Sequence, residues 1–273
     1  MKNLLAGMAI IAYGLTGCGG GGGDSGGASS TTSNAANQGN SLDIQAVGHY
    51  KAKNTAGKLP IFEDIIVAPS GKFAIYYEDA FSSSRGFVDG MVSGATGQFT
   101  GTMTDFAQTG VFAGSISGQY RQGVGLSGTA IYAVGSAPFD ASFVEYMTAS
   151  TGTTDAVGTW NGSDEVRRAL VVTIDSSSSV KITLSASCQF TGTLKFSDGA
   201  NTAQIATLTG SSSGTGCRFG DSGLTGLLTV TRPIAGGYVT LRGHAVRTDR
   251  KDGFYFTSTR CPSGKTVEVI TSC

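Results

Sequence analysis

The 273-residue chain holds two histidines, His49 and His244, and five cysteines, so acid–base or metal chemistry has few residues to draw on. A serine nucleophile needs a histidine base within hydrogen-bond reach and an acid to orient that base. Two stretches set a serine among small residues, "GDSGG" at 23–27 and "GDSGL" at 220–224. The first lies in a Gly/Ser-rich run with no fold around it. The second lies between segments of strand character, where Gly, Asp and Ser are turn residues. His49 opens the body in "VGHY", and the parallel "VGTW" at 157–160 has Thr159 and Trp160 in place of His49 and Tyr50. That comparison makes the imidazole dispensable to the repeat. The adjacent carboxylates Asp164 and Glu165 would point to opposite faces of a strand and cannot act as a pair. A zinc site calls for close Cys or His pairs such as C-x-x-C. The sequence contains no such pair. The reading is therefore no catalytic residue, no metal site and no cofactor.

The densest charge in the body is "RGHAVRTDRKDG", 242–253. Arg242, His244, Arg247, Arg250 and Lys251 could form a contact surface for an acidic partner. The alternative is a solvated β-hairpin, with Asp252-Gly253 as the turn signal. A second stretch, "IYYEDAF" at 75–81, offers Tyr76, Tyr77, Glu78 and Asp79 as an aromatic binding edge, or as a strand ending in an acidic turn. "GDSGG" resembles the nucleophile motif of chymotrypsin-type proteases, but neither histidine stands in that family's Ala-Ala-His-Cys context. Nineteen basic and nineteen acidic residues cancel, and charged residues are only 14% of the chain. No strong field steers nucleic acid to such a protein.

Residues 1–18 read "MKNLLAGMAIIAYGLTGC". A charged Lys2, an apolar run from Leu4 to Tyr13 and small residues before a cysteine have the form of an export signal. The run is shorter than the roughly 20 residues of a membrane-spanning helix. The tetrapeptide "LTGC", Leu15 to Cys18, resembles the lipobox of bacterial lipoproteins. That resemblance implies a signal peptide over 1–17, cleavage before Cys18 and acylation of Cys18 as the lipid anchor. Stable anchoring takes two or more acyl chains. Gly19 after the cysteine, where Asp would favour inner-membrane retention, points to the outer membrane. Residues 18–42 have the composition of a flexible tether. Their root-mean-square span is about 25 Å.

Four cysteines remain after Cys18: Cys188, Cys217, Cys261 and Cys273. Export places them in an oxidising compartment. Of the three possible pairings, Cys188–Cys217 would tie a strand to the following hairpin, and Cys261–Cys273 would pin the C-terminus. These two bridges are the expected pair.

What must position any site is a β body. Period-two alternation dominates from Val47 onward. Strands are expected at "FAIYY" (73–77), "GVFAGSISGQY" (110–120), "GLSGTAIYAV" (125–134), "ALVVTID" and "VKITLSA", and in several later segments. The weak helical candidate is "FVEYMTA" at 143–149. The pentapeptide "QFTGT" recurs at 98–102 and 189–193. Together with VGHY/VGTW and "LSGTA"/"LTGLL" it suggests an internal duplication. The expected fold is all-β: two tandem antiparallel β-barrel or β-sandwich units, at 43–148 and 153–273, with QFTGT on equivalent strands. This layout is similar to the tandem β-domain surface lipoproteins of Gram-negative bacteria, such as the transferrin-binding types. Tether and body together imply an outer-membrane-anchored, non-enzymatic binding or surface-interaction module. Its partners would be the membrane, through N-terminal acyl chains, and a protein or glycan, with no nucleic acid. A structural or assembly lipoprotein of an envelope complex is the alternative, and an envelope hydrolase is the third reading.

Overall fold

The structure, a computed structural model, describes residues 46–53, 61–78, 85–133, 135–144, 155–197, 205–231 and 239–260. These residues form two closed eight-stranded barrels in tandem. The first runs β1 (Gly48–Ala52), β2 (Ile61–Val67), β3 (Lys72–Glu78), β4 (Arg85–Ser93), β5 (Gln98–Ala107), β6 (Gly110–Arg121), β7 (Gly125–Tyr132) and β8 (Gly135–Phe143). The second runs β9 (Gly158–Asp164), β10 (Ala169–Ile174), β11 (Ser179–Ser185), β12 (Cys188–Phe196), β13 (Ile205–Ser213), β14 (Gly223–Thr231), β15 (Val239–Arg247) and β16 (Gly253–Arg260). Each strand pairs antiparallel with its sequence neighbour. The barrels close through β1–β8 and β9–β16. Barrel, not sandwich, is the outcome, and closure leaves no strand edge unpaired. Phe143, the first residue of the expected helical stretch, ends β8; residues 145–149 of that stretch lie outside the described residues.

Both interiors are filled by side chains. Tyr50, Phe73, Phe99, Met103, Tyr120 and Phe139 are among those packed inside the first barrel. Trp160, Ile182, Phe190, Leu208, Phe254 and Phe256 are among those inside the second. The first barrel retains a small apolar void of about 20 Å³ near Ala46, Phe73 and Phe99. That is room for about one water-sized sphere. An eight-stranded barrel is just wide enough for its own side chains to occupy.

The two barrels start alike. Tyr50 Oη donates to the Ala46 carbonyl at 2.7 Å, and Trp160 Nε1 donates to the Ala156 carbonyl at 2.8 Å. VGHY and VGTW thus mark equivalent first strands. QFTGT does not: residues 98–102 lie in β5, the fifth strand of its barrel, and 189–193 in β12, the fourth of the other. Fourth and fifth strands of an up-and-down barrel run in opposite directions, so they do not superpose when the first strands do. The expectation of equivalent strands is corrected. What the pentapeptides share is local packing. Phe99 lies over Gly118 of β6, where a Cβ would come within 2.7 Å of its ring. Phe190 lies over Gly210 of β13, where the same distance is 2.6 Å. A large inward ring covering a glycine on the next strand is the device repeated.

The barrels are parts of one compact unit. A third apolar cluster lies between them. It joins Ile66, Tyr76, Phe87 and Phe106 of the first barrel to Leu227, Val246 and Tyr255 of the second. These side chains point outward from their own barrels, so the stretches of strand that carry them are buried on both faces.

Candidate functional site

The chemistry-bearing side chains converge on this inter-barrel seam. β2, β3 and β4 present Asp64, Tyr76 and Asp89 on their outer faces, and β15 presents Arg242 and His244. His244 is fully buried. Its Nε2 lies 2.8 Å from Asp89 Oδ1, and its Nδ1 lies 2.9 Å from Tyr76 Oη. Arg250, from the turn between β15 and β16, donates through Nη1 to Asp89 Oδ2 at 2.8 Å and through Nη2 to the Asp89 carbonyl at 2.7 Å. Its Nε donates to Thr104 Oγ1 at 2.9 Å. Lys72 Nζ lies 3.7 Å from Asp89 Oδ1 and donates to Thr225 Oγ1 at 3.4 Å. One carboxylate thus gathers an imidazole, a guanidinium and an ammonium.

A second ionic group lies on the same seam. Arg242 pairs with Asp64, and with Glu63 at 3.2 Å. His49 Nε2 lies 2.7 Å from Asp64 Oδ1. Further along, Arg85 Nη1 donates to Ser163 Oγ at 3.2 Å, and Arg167 Nη2 donates to Glu78 Oε1 at 2.8 Å.

The electrostatics follow from burial. Burial pulls His244 below the usual imidazole range, against the opposing pull of Asp89. Burial, with Arg242 and Lys51 nearby, lowers His49 to about 3. Burial alone would raise Asp89, but its hydrogen bond to His244 and the charges of His244, Lys72 and Arg250 outweigh it, and the net shift is downward. Burial raises Tyr76 well above the usual phenol range. The imidazole stands between a phenol and a carboxylate, and all three groups are buried.

The sequence-predicted contact residues therefore separate. Arg242, His244 and Arg250 do meet acidic groups, but those groups belong to the first barrel of the same chain. His244 is corrected as a member of an open contact surface: it has no exposure, because the outer face of β4 covers it. Arg247 and Lys251 stay at the surface, Arg247 paired with Asp249 at 2.9 Å. The proposed aromatic edge divides too. Tyr76 enters the seam, Tyr77 points into the first barrel where it donates to Asp105 at 2.6 Å, and Asp79 lies outside the described residues. GDSGL at 220–224 leads from a loop into β14; the Ser222 carbonyl accepts from the Ser212 amide at 3.1 Å.

Asp64, Asp89 and Arg218 were missed from sequence, and Glu165, set aside there as half of an adjacent carboxylate pair, meets Arg218. Arg218 Nη2 donates to Glu165 Oε1 and to the Gly253 carbonyl, each at 2.6 Å. The Arg85 amide of the first barrel donates to the Glu165 carbonyl at 3.3 Å. Asp89 had a signal: β4 reads "RGFVDGMVS", apolar on both sides of the carboxylate, as a strand covered on both faces should.

Cys188 and Cys217 form a disulfide with Cα atoms 4.7 Å apart. Cys18, Cys261 and Cys273 lie outside the described residues. The bond holds the loop between β13 and β14. From this loop Phe219 packs into the second barrel beside Phe254, with ring centroids 5.3 Å apart. The crosslinked residues are 29 apart. Reduction should therefore lower stability by about 3.5 kcal/mol by loop entropy. Hydrogen exchange with and without reductant checks this. Protection should fall first in β12–β14, and unchanged protection there would refute a stabilising role.

No protein-family model matches the chain, and neither a curated protein nor a solved structure matches it.

Proposed function

We propose that the protein is an outer-membrane lipoprotein whose two-barrel body is a non-enzymatic binding module, tethered through Cys18 and displayed by its outer faces. The observation that carries this reading is the arrangement of the body. The barrel interiors are packed, and the buried trio His244, Asp89 and Tyr76 is engaged in joining one barrel to the other. Among the described residues, the void inside the first barrel, about 20 Å³, falls far short of the several hundred Å³ that drug-sized ligand sites occupy. The surfaces left for recognition are the strand faces and turns away from the seam. The lipobox-like "LTGC" and the tether that follows supply the anchor and the reach.

The test is Cys18→Ser. The variant is expected to leave the membrane fraction or to accumulate as uncleaved precursor. Normal processing with unchanged membrane association would refute the anchor. Protease added to intact cells separates display from an envelope-bracing role: a displayed body is cut, whereas a periplasmic brace is protected.

A further inference from the structure

A groove of about 220 Å³ opens on the first barrel, across β6, β7 and β8. It lies on strands that do not contribute to the inter-barrel apolar cluster. Three exposed side chains, Gln119, Ser127 and Asp140, face outward in one row: Gln119 is the cross-strand partner of Ser127, and Ser127 of Asp140. In the next row Arg121 stands opposite Gly125, which adds no side chain and leaves the groove open. Val124, 56% exposed, forms an apolar shelf at the turn.

Lys53 closes one side and is held in place twice. Its backbone amide donates to the Asp140 carbonyl at 2.8 Å, and its ammonium donates to both Asp140 carboxylate oxygens, at 3.1 and 3.2 Å. Lys53 and Asp140 thus neutralise each other. Among the described residues Arg121 makes no ion pair, so within them the groove presents one guanidinium without a carboxylate partner.

We infer that this groove binds a pyranose bearing a carboxylate, the repeating unit of an acidic glycan. Gln119 and Asp140 are planar groups that can bridge neighbouring hydroxyls, as donor-acceptor and double acceptor respectively. Ser127 adds a hydroxyl to the same row. The Val124 shelf suits the apolar face of a sugar ring. The Arg121 fork matches a carboxylate in bidentate fashion, which adds geometric selectivity to charge. The volume admits about one sugar unit, so a single site is weak and avidity would come from one repeating glycan engaging several membrane-anchored copies at once.

The inference rests on the binding-module reading and sharpens it. The test is a ligand-observed NMR titration of the full-length protein in detergent, with methyl β-D-glucuronide, methyl β-D-glucoside and acetate as probes. Glucuronide should bind about fivefold or more tighter than glucoside, because only it engages the guanidinium in a charge-assisted pair. Arg121→Gln should erase that preference while glucoside binding persists. Asp140→Ala should weaken both sugars. Equal affinity for the two sugars, a preference that survives Arg121→Gln, or acetate binding as well as glucuronide would each overturn the assignment. If neither sugar binds, the groove assignment falls. The binding-module reading falls separately, if the body stays protected from protease on intact cells.

Discussion

Replacing Asp89 with alanine should lower the unfolding free energy by about 3–5 kcal/mol, the cost of breaking a buried ion pair by removing one partner. Asp89 is 1% exposed; it is the counter-ion of Lys72 and Arg250 and the hydrogen-bond partner of His244. Its removal leaves the Arg250 guanidinium and the Lys72 ammonium at the seam without their carboxylate, and His244 Nε2 without its partner. The attraction gained in such a site repays desolvation only when every charge is matched. The damage should also be directional. Asp89 belongs to the first barrel, and two of its partners, His244 and Arg250, belong to the second. The variant is expected to loosen the barrels from each other, so that one cooperative urea transition becomes two. Asp249→Ala is the control. It removes a surface partner of Arg247 and should cost about 0–1 kcal/mol. Equal effects of the two substitutions would refute the seam as the site of coupling.

The reasons some features were legible and others were not are physical. Alternation along "GVFAGSISGQY" gave β6, because one face of that strand meets water. Period two also gave the β10–β11 hairpin around "SSSS". The same rule misjudged 242–253. A stretch with Arg242 and His244 on one strand face and Arg250 in the turn that follows reads as solvated unless a second acidic surface is known to cover it. The covering carboxylates, Asp64 and Asp89, lie more than 150 residues away in the chain, and no local pattern pairs them with β15. The continuous apolar runs "FAIYY" and "GFYF" did carry the missing signal. Both faces of β3 and β16 are apolar because one faces a barrel interior and the other faces the opposite barrel. QFTGT misled for a related reason. It encodes an inward ring and a strand glycine, a packing unit that any strand of a narrow barrel can use.

Stability should fall steeply as pH drops below about 6.5, the ordinary histidine value. The unfolded chain protonates His49 and His244 near that value. In the folded protein His49 is held near 3 and His244 below the usual range, both chiefly by burial. Between these limits the unfolded state binds more protons, so stability rises with pH and is lost on acidification. Each histidine that stays neutral in the fold should cost about 2 kcal/mol between pH 7 and pH 5. His244 faces Asp89, Tyr76, Lys72 and Arg250 across the seam; His49 faces Asp64, Arg242 and Lys51. Asp89, shifted down, adds its loss only below the ordinary carboxylate range. Asp105 and Glu165 are raised by burial and act in the opposite sense. Urea midpoints at pH 7 and pH 5 read the effect. His49→Gln cannot titrate, so the variant should lose the part of the pH dependence that His49 carries, about 2 kcal/mol between pH 7 and pH 5, whatever its stability at pH 7. A flat response between pH 7 and pH 5 in the unsubstituted protein would overturn the assignment. It would mean that Asp64 and Asp89 hold both rings as imidazolium, with each carboxylate outweighing the burial of its partner.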